Sequence, residues 1–198
     1  TPDSNPTRPG AVDPAAAPLD LGAVMRQVHF AYRPVEGKPG RYSGGHATYA
    51  VELDEKGVQL RAYHAPDATR EPRDPAVRMR AHEMRERSAR REVRESAALR
   101  LELAAVERGG VALTRRGQGE AQVAADGHVQ LTRGAVVEHF HNREEGVEQS
   151  WSFATPPEGE GALRVRVETR GMGYQGETDS GLHFADASGL GFRYGHGL

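Results

Sequence analysis

The sequence predicts a mainly β protein: an antiparallel β-sandwich or strongly curved sheet with one inserted charged helix. Three observations predict it. Apolar and polar residues alternate with period two over most of the chain, the pattern of half-buried strands. Turn signals such as Asp-Gly, Gly-Gly and Asp-x-x-Gly separate the alternating runs at short intervals. Strands do not alternate with helices, which sets aside a doubly wound parallel fold. About nine or ten short strands are expected on this spacing.

Residues 1–20 carry Pro at positions 2, 6, 9, 14 and 18 and little that can be buried. Such a segment cannot offset its ordering entropy, so a flexible tail is expected. It follows either an export leader removed upstream or a boundary between domains. Val28, Phe30 and Tyr32 then alternate with His29 and Ala31, a strand closed by Pro34. Gly44-Gly45 precedes a strand with Ala47, Tyr49, Val51 and Leu53 on one face. Asp54-Glu55-Lys56-Gly57 predicts a bulged hairpin into residues 58–64, where Val58, Leu60 and Ala62 alternate with Gln59 and Arg61.

The period breaks at residues 66–98, which begin with Pro66, Pro72 and Pro75 and have almost no apolar stripe. From Arg70 to Arg100 there are 10 Arg and 6 acidic residues, and Glu83–Arg87 and Glu86–Arg90 stand at i, i+4. That orientation supports a solvated helix over 77–96, inserted into the β domain. Strand alternation resumes at Leu99, Leu101 and Leu103, and Gly109-Gly110 turns the chain into Val111. Asp126-Gly127 predicts a tight hairpin between residues 121–125 and 128–132. Leu163, Val165 and Val167 mark a half-solvated strand, and Asp186-Ala187-Ser188-Gly189 joins a last hairpin. The chain stops soon after a strand at Leu190–Tyr194, so the β domain over 21–198 is expected to be truncated at its C-terminus.

Composition narrows the chemistry. The 198 residues include no Cys, which excludes disulfides, thiolate–metal sites and thiol catalysis. The formal net charge is −2, which argues against a dedicated nucleic-acid binder. Only Lys38 and Lys56 are lysines among 26 basic residues, a bias that fits a GC-rich genome. No apolar run approaches the roughly 18 residues of a membrane helix, so no transmembrane segment is expected.

Four constellations could carry function. Gly171-Met172-Gly173-Tyr174-Gln175-Gly176 matches G-x-G-x-x-G, but acidic residues and a strand follow where a phosphate-binding helix is required. A Gly-rich connection is the better reading. In Glu138-His139-Phe140-His141, a strand places His139 and His141 on one face, as two imidazole ligands would be. A third ligand would come from His128, His64 or a carboxylate. Two half-exposed strand histidines are the simpler account. Glu144, Glu145 and Glu148, with Trp151 nearby, form the densest polar cluster and could serve as acid, base or sugar contacts. Gly146 reads equally as a turn and Trp151 as a core or edge anchor. The charged segment 77–96 could dock a partner, although its interspersed Glu residues describe a self-neutralising solvated helix.

The stretches VHFAYRP, GGHATYAVEL, GAVVEHFHNREEGVEQSW and TDSGLHFADASGLGFRYGHGL together carry a resemblance. They resemble the β-rich N-terminal region of large exported surface proteins of myxobacteria and related bacteria. In those proteins the region precedes FG-GAP-type, kelch-type or other surface repeats. The resemblance covers residues 24–64 and 99–198; the charged segment 66–98 departs from it. It implies export and a longer parent, and it supplies no catalytic residues. The expected function is therefore a non-catalytic module of an exported or cell-surface protein: adhesion unit, spacer, ligand binder or pro-region. Its expected partner is a cell-surface protein or a glycan; no nucleic acid and no cofactor are expected. The alternative is a metal-dependent or carbohydrate-active protein built on the His139/His141 strand and the turn at 144–148.

Overall fold

Strands dominate because alternating side chains find a buried face on one side and solvent on the other. The computed structural model describes residues 20–64 and 94–196. The expected tail, except Asp20, lies outside these residues, as does the inserted segment except at its end. The helix expected over 77–96 can be followed only at 94–96, where Arg94 and Glu95 form a strand and Ser96 is not helical.

The first element corrects the sequence reading. Residues 28–30 of the expected strand belong instead to helix α1 (Leu21–Phe30). Asp20 caps it by accepting from Ala23 N at 3.0 Å. Leu21, Val24, Met25 and Val28 recur at i, i+3, i+4 and i+7, yet all four are exposed and no α1 residue is buried. After α1 the chain extends at Ala31, and Tyr32 turns into the core.

The remaining described elements are strands. A first sheet contains β1 (Arg33–Pro34), β2 (Tyr42–His46), β3 (Tyr49–Asp54), β4 (Gly57–His64), β5 (Arg94–Glu95), β6 (Leu99–Arg108) and β7 (Val111–Arg115). A second contains β8 (Glu120–Val123), β9 (Val129–Arg133), β10 (Val136–Arg143) and β11 (Gly146–Phe153). Next, β12 (Leu163–Arg170) returns to the first sheet, and β13 (Gly173–Thr178), β14 (Gly181–Ala185) and β15 (Gly191–Tyr194) form a third. The sheet orders are β1-β2-β3-β4-β6-β12, with β5 on β4 and β7 on β6; β11-β10-β9-β8; and β13-β14-β15. Pairing is antiparallel throughout. The two shortest strands, β1 and β5, have two residues each, and Pro34 stands on the sheet edge, where its missing N–H costs no ladder bond.

Two hairpins exchange their expected turns. Asp54 pairs directly with Gly57, leaving the two-residue turn Glu55-Lys56 where a bulge was expected. At Asp126-Gly127 the loop is wider: Ala124 N donates to His128 O, and Gly127 N donates back to Ala124 O, both at 2.9 Å. Gly127 has φ +89°, which glycine adopts at little cost.

The three sheets share one core. Tyr49, Val51, Leu53, Val58, Leu60, Leu99 and Leu101 from the first sheet meet Val129, Leu131 and Phe140 from the second and Phe184 from the third. A second cluster joins Leu103, Val106 and Val136, with Trp151, Phe153, Leu113 and Val165 against it. Strands β6 and β10 run through both clusters. The inner face also carries a polar chain across the sheets. Tyr194 donates to Gln149 Oε1 at 2.9 Å, Gln149 Nε2 donates to Glu138 Oε1 at 2.5 Å, and Glu138 Oε2 faces Arg133 Nε at 3.5 Å. Arg133 in turn donates to Lys56 O at 2.7 Å and to Gly117 O, fixing the β3–β4 turn against the second sheet.

Candidate functional site

The outer face of the second sheet gathers histidines because of its register. Val129 pairs with Phe140 and Gln130 with His139. Glu138, Phe140 and Asn142 are therefore buried, while His139 and His141 point outward and are half-buried. One step beyond the last β9–β10 pair, His128 falls opposite His141. Their rings stack with centroids 4.1 Å apart and planes 20° apart.

The β8–β9 turn adds a carboxylate. Asp126 Oδ1 accepts from His128 N at 3.3 Å and contacts His128 Nδ1. The N-terminal segment holds this turn in place: Tyr32 N donates to Gly127 O at 2.9 Å, and Gln27 Nε2 donates to Ala125 O at 3.2 Å. On the far side of His128, Nε2 lies 3.1 Å from His139 Nδ1, and His139 Nε2 lies 2.7 Å from Ser152 Oγ. One hydrogen-bonded chain thus runs Asp126, His128, His139, Ser152, with His141 stacked beside it.

The cluster tunes its members. Burial, then the neighbouring His128, pushes His139 below the ordinary imidazole value, against the pull of Asp126. His141 is lowered by burial, His128 and Arg143, opposed by Asp126 and Glu148. Partial burial raises Asp126, but hydrogen bonds from His128 and the charges of His128 and His141 outweigh it, so its carboxyl lies below the usual range. Asp126, His128 and His141 each offer a donor atom within 4.8 Å of the other two.

The other sequence candidates fall elsewhere. Glu144 and Glu145 form the exposed tip of the β10–β11 hairpin. Glu148 stands on the outer face opposite His141 and pairs with Arg143 Nε at 2.7 Å. Trp151 stands opposite Glu138 on the inner face, packed into the second core cluster. The four residues of the expected ligand surface are therefore split among the hairpin tip, the outer face and the inner face. His64, one possible third ligand, ends β4 in the first sheet beside Arg94. Gly171 and Met172 turn the chain between β12 and β13, and Gly173 and Gly176 lie within β13, with strand β14 following. An open groove of about 260 Å³ is lined by Lys56, Glu102, Arg116 and Arg170 among others, but Glu168 already pairs with both arginines. Sequence reasoning offered His128 as one ligand among several and missed Asp126 and Ser152, reading Asp126 only as a turn former.

No family model, no curated protein and no solved structure matches this chain. The fold itself defines a mainly β protein of antiparallel sheets, and among its described residues no helix is long and apolar enough to cross a membrane.

Proposed function

We propose that the chain is a non-catalytic module of an exported or cell-surface bacterial protein, acting as a spacer, adhesion or ligand-binding unit. The observation that carries this reading is what the resembling stretches do in the fold. GGHATYAVEL forms the β2–β3 hairpin and GAVVEHFHNREEGVEQSW the β10–β11 hairpin, and together they supply Tyr49, Val51, Leu53, Val136 and Phe140 to the cores. Within TDSGLHFADASGLGFRYGHGL, residues 181–194 form the β14–β15 hairpin. There Asp186 accepts from Ser188 N at 2.8 Å and from Leu190 N at 3.3 Å, and its second oxygen accepts from Ala97 N at 2.7 Å. Gly191 lies so close to β14 that a Cβ would sit 1.9 Å from Phe184 O. These residues are occupied in holding a scaffold, as expected of a module whose likeness to others is architectural.

Exposure of the glutamates supports the same reading. Glu144 and Glu145 face solvent and Glu148 is ion-paired. General acid–base work on a glycoside needs two carboxyls flanking one bond in a shaped cleft. The test is localisation of the full-length protein in its host. Recovery from the periplasm or medium, or from the cell surface with cleavage by protease added to intact cells, is the expected result. Recovery from the cytosol alone overturns it.

A further inference from the structure

We propose that Asp126, His128 and His141 bind one divalent transition ion of the zinc or copper(II) class. In this proposal His139 and Ser152 hold the His128 ring in its ligating orientation. The proposal concerns the outer face of β9 and β10 and stands whether or not the chain is exported.

The donor set decides the class of ion. Two imidazoles and one carboxylate suit zinc, copper(II) or nickel, whereas calcium and magnesium take oxygen ligands. A tetrahedral zinc with bonds of about 2.0–2.1 Å needs donors about 3.4 Å apart. The three donors already lie within 4.8 Å of one another, and rotation of the Asp126 and His141 side chains, which opens the Asp126–His128 contact and unstacks the two rings, brings them to that spacing around the fixed His128 ring. His141 stands on β10, which pairs on both sides, and the turn carrying Asp126 is tied to Tyr32 and Gln27. Three protein ligands leave a fourth position for water, and Asp126 is exposed, so an ion can enter from solvent.

The hydrogen-bond chain supplies the second line of argument. A metal-bound imidazole normally donates its other N–H to a partner that fixes its tautomer and ring plane. With an ion on His128 Nδ1, Nε2–H donates to His139 Nδ1, and His139 Nε2–H donates to Ser152 Oγ. Both distances, 3.1 and 2.7 Å, are those of formed hydrogen bonds. Without an ion the chain runs in reverse: Ser152 donates to His139, His139 to His128, and His128 Nδ1–H to Asp126. Every member of the chain has a partner in both states. The ion exchanges one hydrogen bond, His128 to Asp126, for two coordination bonds and adds His141.

The test uses the full chain without a His tag, stripped with chelator and titrated with Zn²⁺ and Cu²⁺ by calorimetry. One ion per chain is expected, with no binding of Ca²⁺ or Mg²⁺. His128→Ala and His141→Ala should each weaken binding about 100-fold or more, and His139→Ala about 10-fold, as loss of a supporting hydrogen bond does. His183→Ala, which alters a histidine hydrogen-bonded to Thr178 in the third sheet, should leave affinity unchanged. On the unaltered chain, Zn²⁺ should slow diethyl pyrocarbonate modification of His128 and His141 but not of His183. That readout decides the matter even where a variant fails to fold. Absence of one-to-one binding, or binding that survives both alanine substitutions, overturns the proposal, as does modification of His128 and His141 at an unchanged rate.

Discussion

Arg133 and Glu138 are the charged residues on which the inner face depends. Their side chains are 3% and 1% exposed, and each has at most the other as an ionic partner across 3.5 Å. Burial pushes the Glu138 carboxyl above its usual range, with Gln149 and Arg133 opposing it. An acid raised by folding contributes stability below its unfolded value and loses it as pH climbs through the folded value. Arg133→Met leaves that carboxylate buried without its cation, so unfolding in urea at pH 7 should show a loss of about 3–5 kcal/mol. The loss should shrink as pH falls and Glu138 takes up a proton; a loss independent of pH would count against this account. Asp54 has the opposite sign. Burial raises it, but hydrogen bonds from Arg100, Lys56 N and Gly57 N together with the Arg100 charge bring it below its usual range. Its contribution is present above the unfolded value and is lost as pH falls through the folded one. Asp54→Ala should therefore cost about 2 kcal/mol at pH 7, the scale of hydrogen bonds to a charged group, and progressively less as acid protonates the wild-type carboxylate. None of this was legible residue by residue. Arg133 and Glu138 lie in alternating runs where either face is open to a charged side chain, and only the pairing of β9 with β10 puts both inside.

The β8–β9 hairpin is the element on which the candidate site turns. Its Gly127 has φ +89°, and a Cβ there would lie 2.7 Å from Ala31 Cβ and 3.0 Å from Ala31 Cα. Gly127→Ala should cost about 1–3 kcal/mol from the left-handed conformation and the contact. It should also speed amide exchange at Tyr32, whose N–H bonds to Gly127 O; an unchanged Tyr32 amide would show that the turn is not docked there. The hairpin itself was legible because Asp-Gly sits between two alternating runs. The site was half legible for the same reason. Counting outward from the Arg133–Val136 pair puts residue 128 opposite 141, so the sequence does contain the His128–His141 meeting once that register is known. Asp126 was hidden because a turn aspartate normally bonds its own backbone. Helix α1 was misread although Asp20 and the i, i+3, i+4, i+7 stripe both signal a helix. The local alternation of Val28, Phe30 and Tyr32 carried more weight, yet only Tyr32 of the three is buried.

At the scale of the whole molecule the question is whether the two apolar clusters fold as one unit. Strand β6 supplies Leu99 and Leu101 to the first cluster and Leu103 and Val106 to the second. Strand β10 supplies Phe140 to the first and Val136 to the second. Neither strand can leave one cluster without breaking ladder bonds that hold the other, because β6 pairs with β4, β7 and β12 and β10 with β9 and β11. The third sheet is tied in by Phe184 in the main cluster and by the bond from Tyr194 to Gln149. Burial and the nearby Glu138 push that tyrosine hydroxyl up to about 12, so it remains a donor at any pH where the fold is studied. These shared strands predict a single cooperative transition. The chain has one Trp, and Trp151 reports only on the second cluster. Phe140→Ala removes a fully buried ring from the first, at a cost of about 3–5 kcal/mol. Trp151 fluorescence and far-ultraviolet circular dichroism should then shift together to the same lower denaturant midpoint. If fluorescence keeps its original midpoint while the dichroism signal moves, the clusters unfold separately and the shared strands do not couple them.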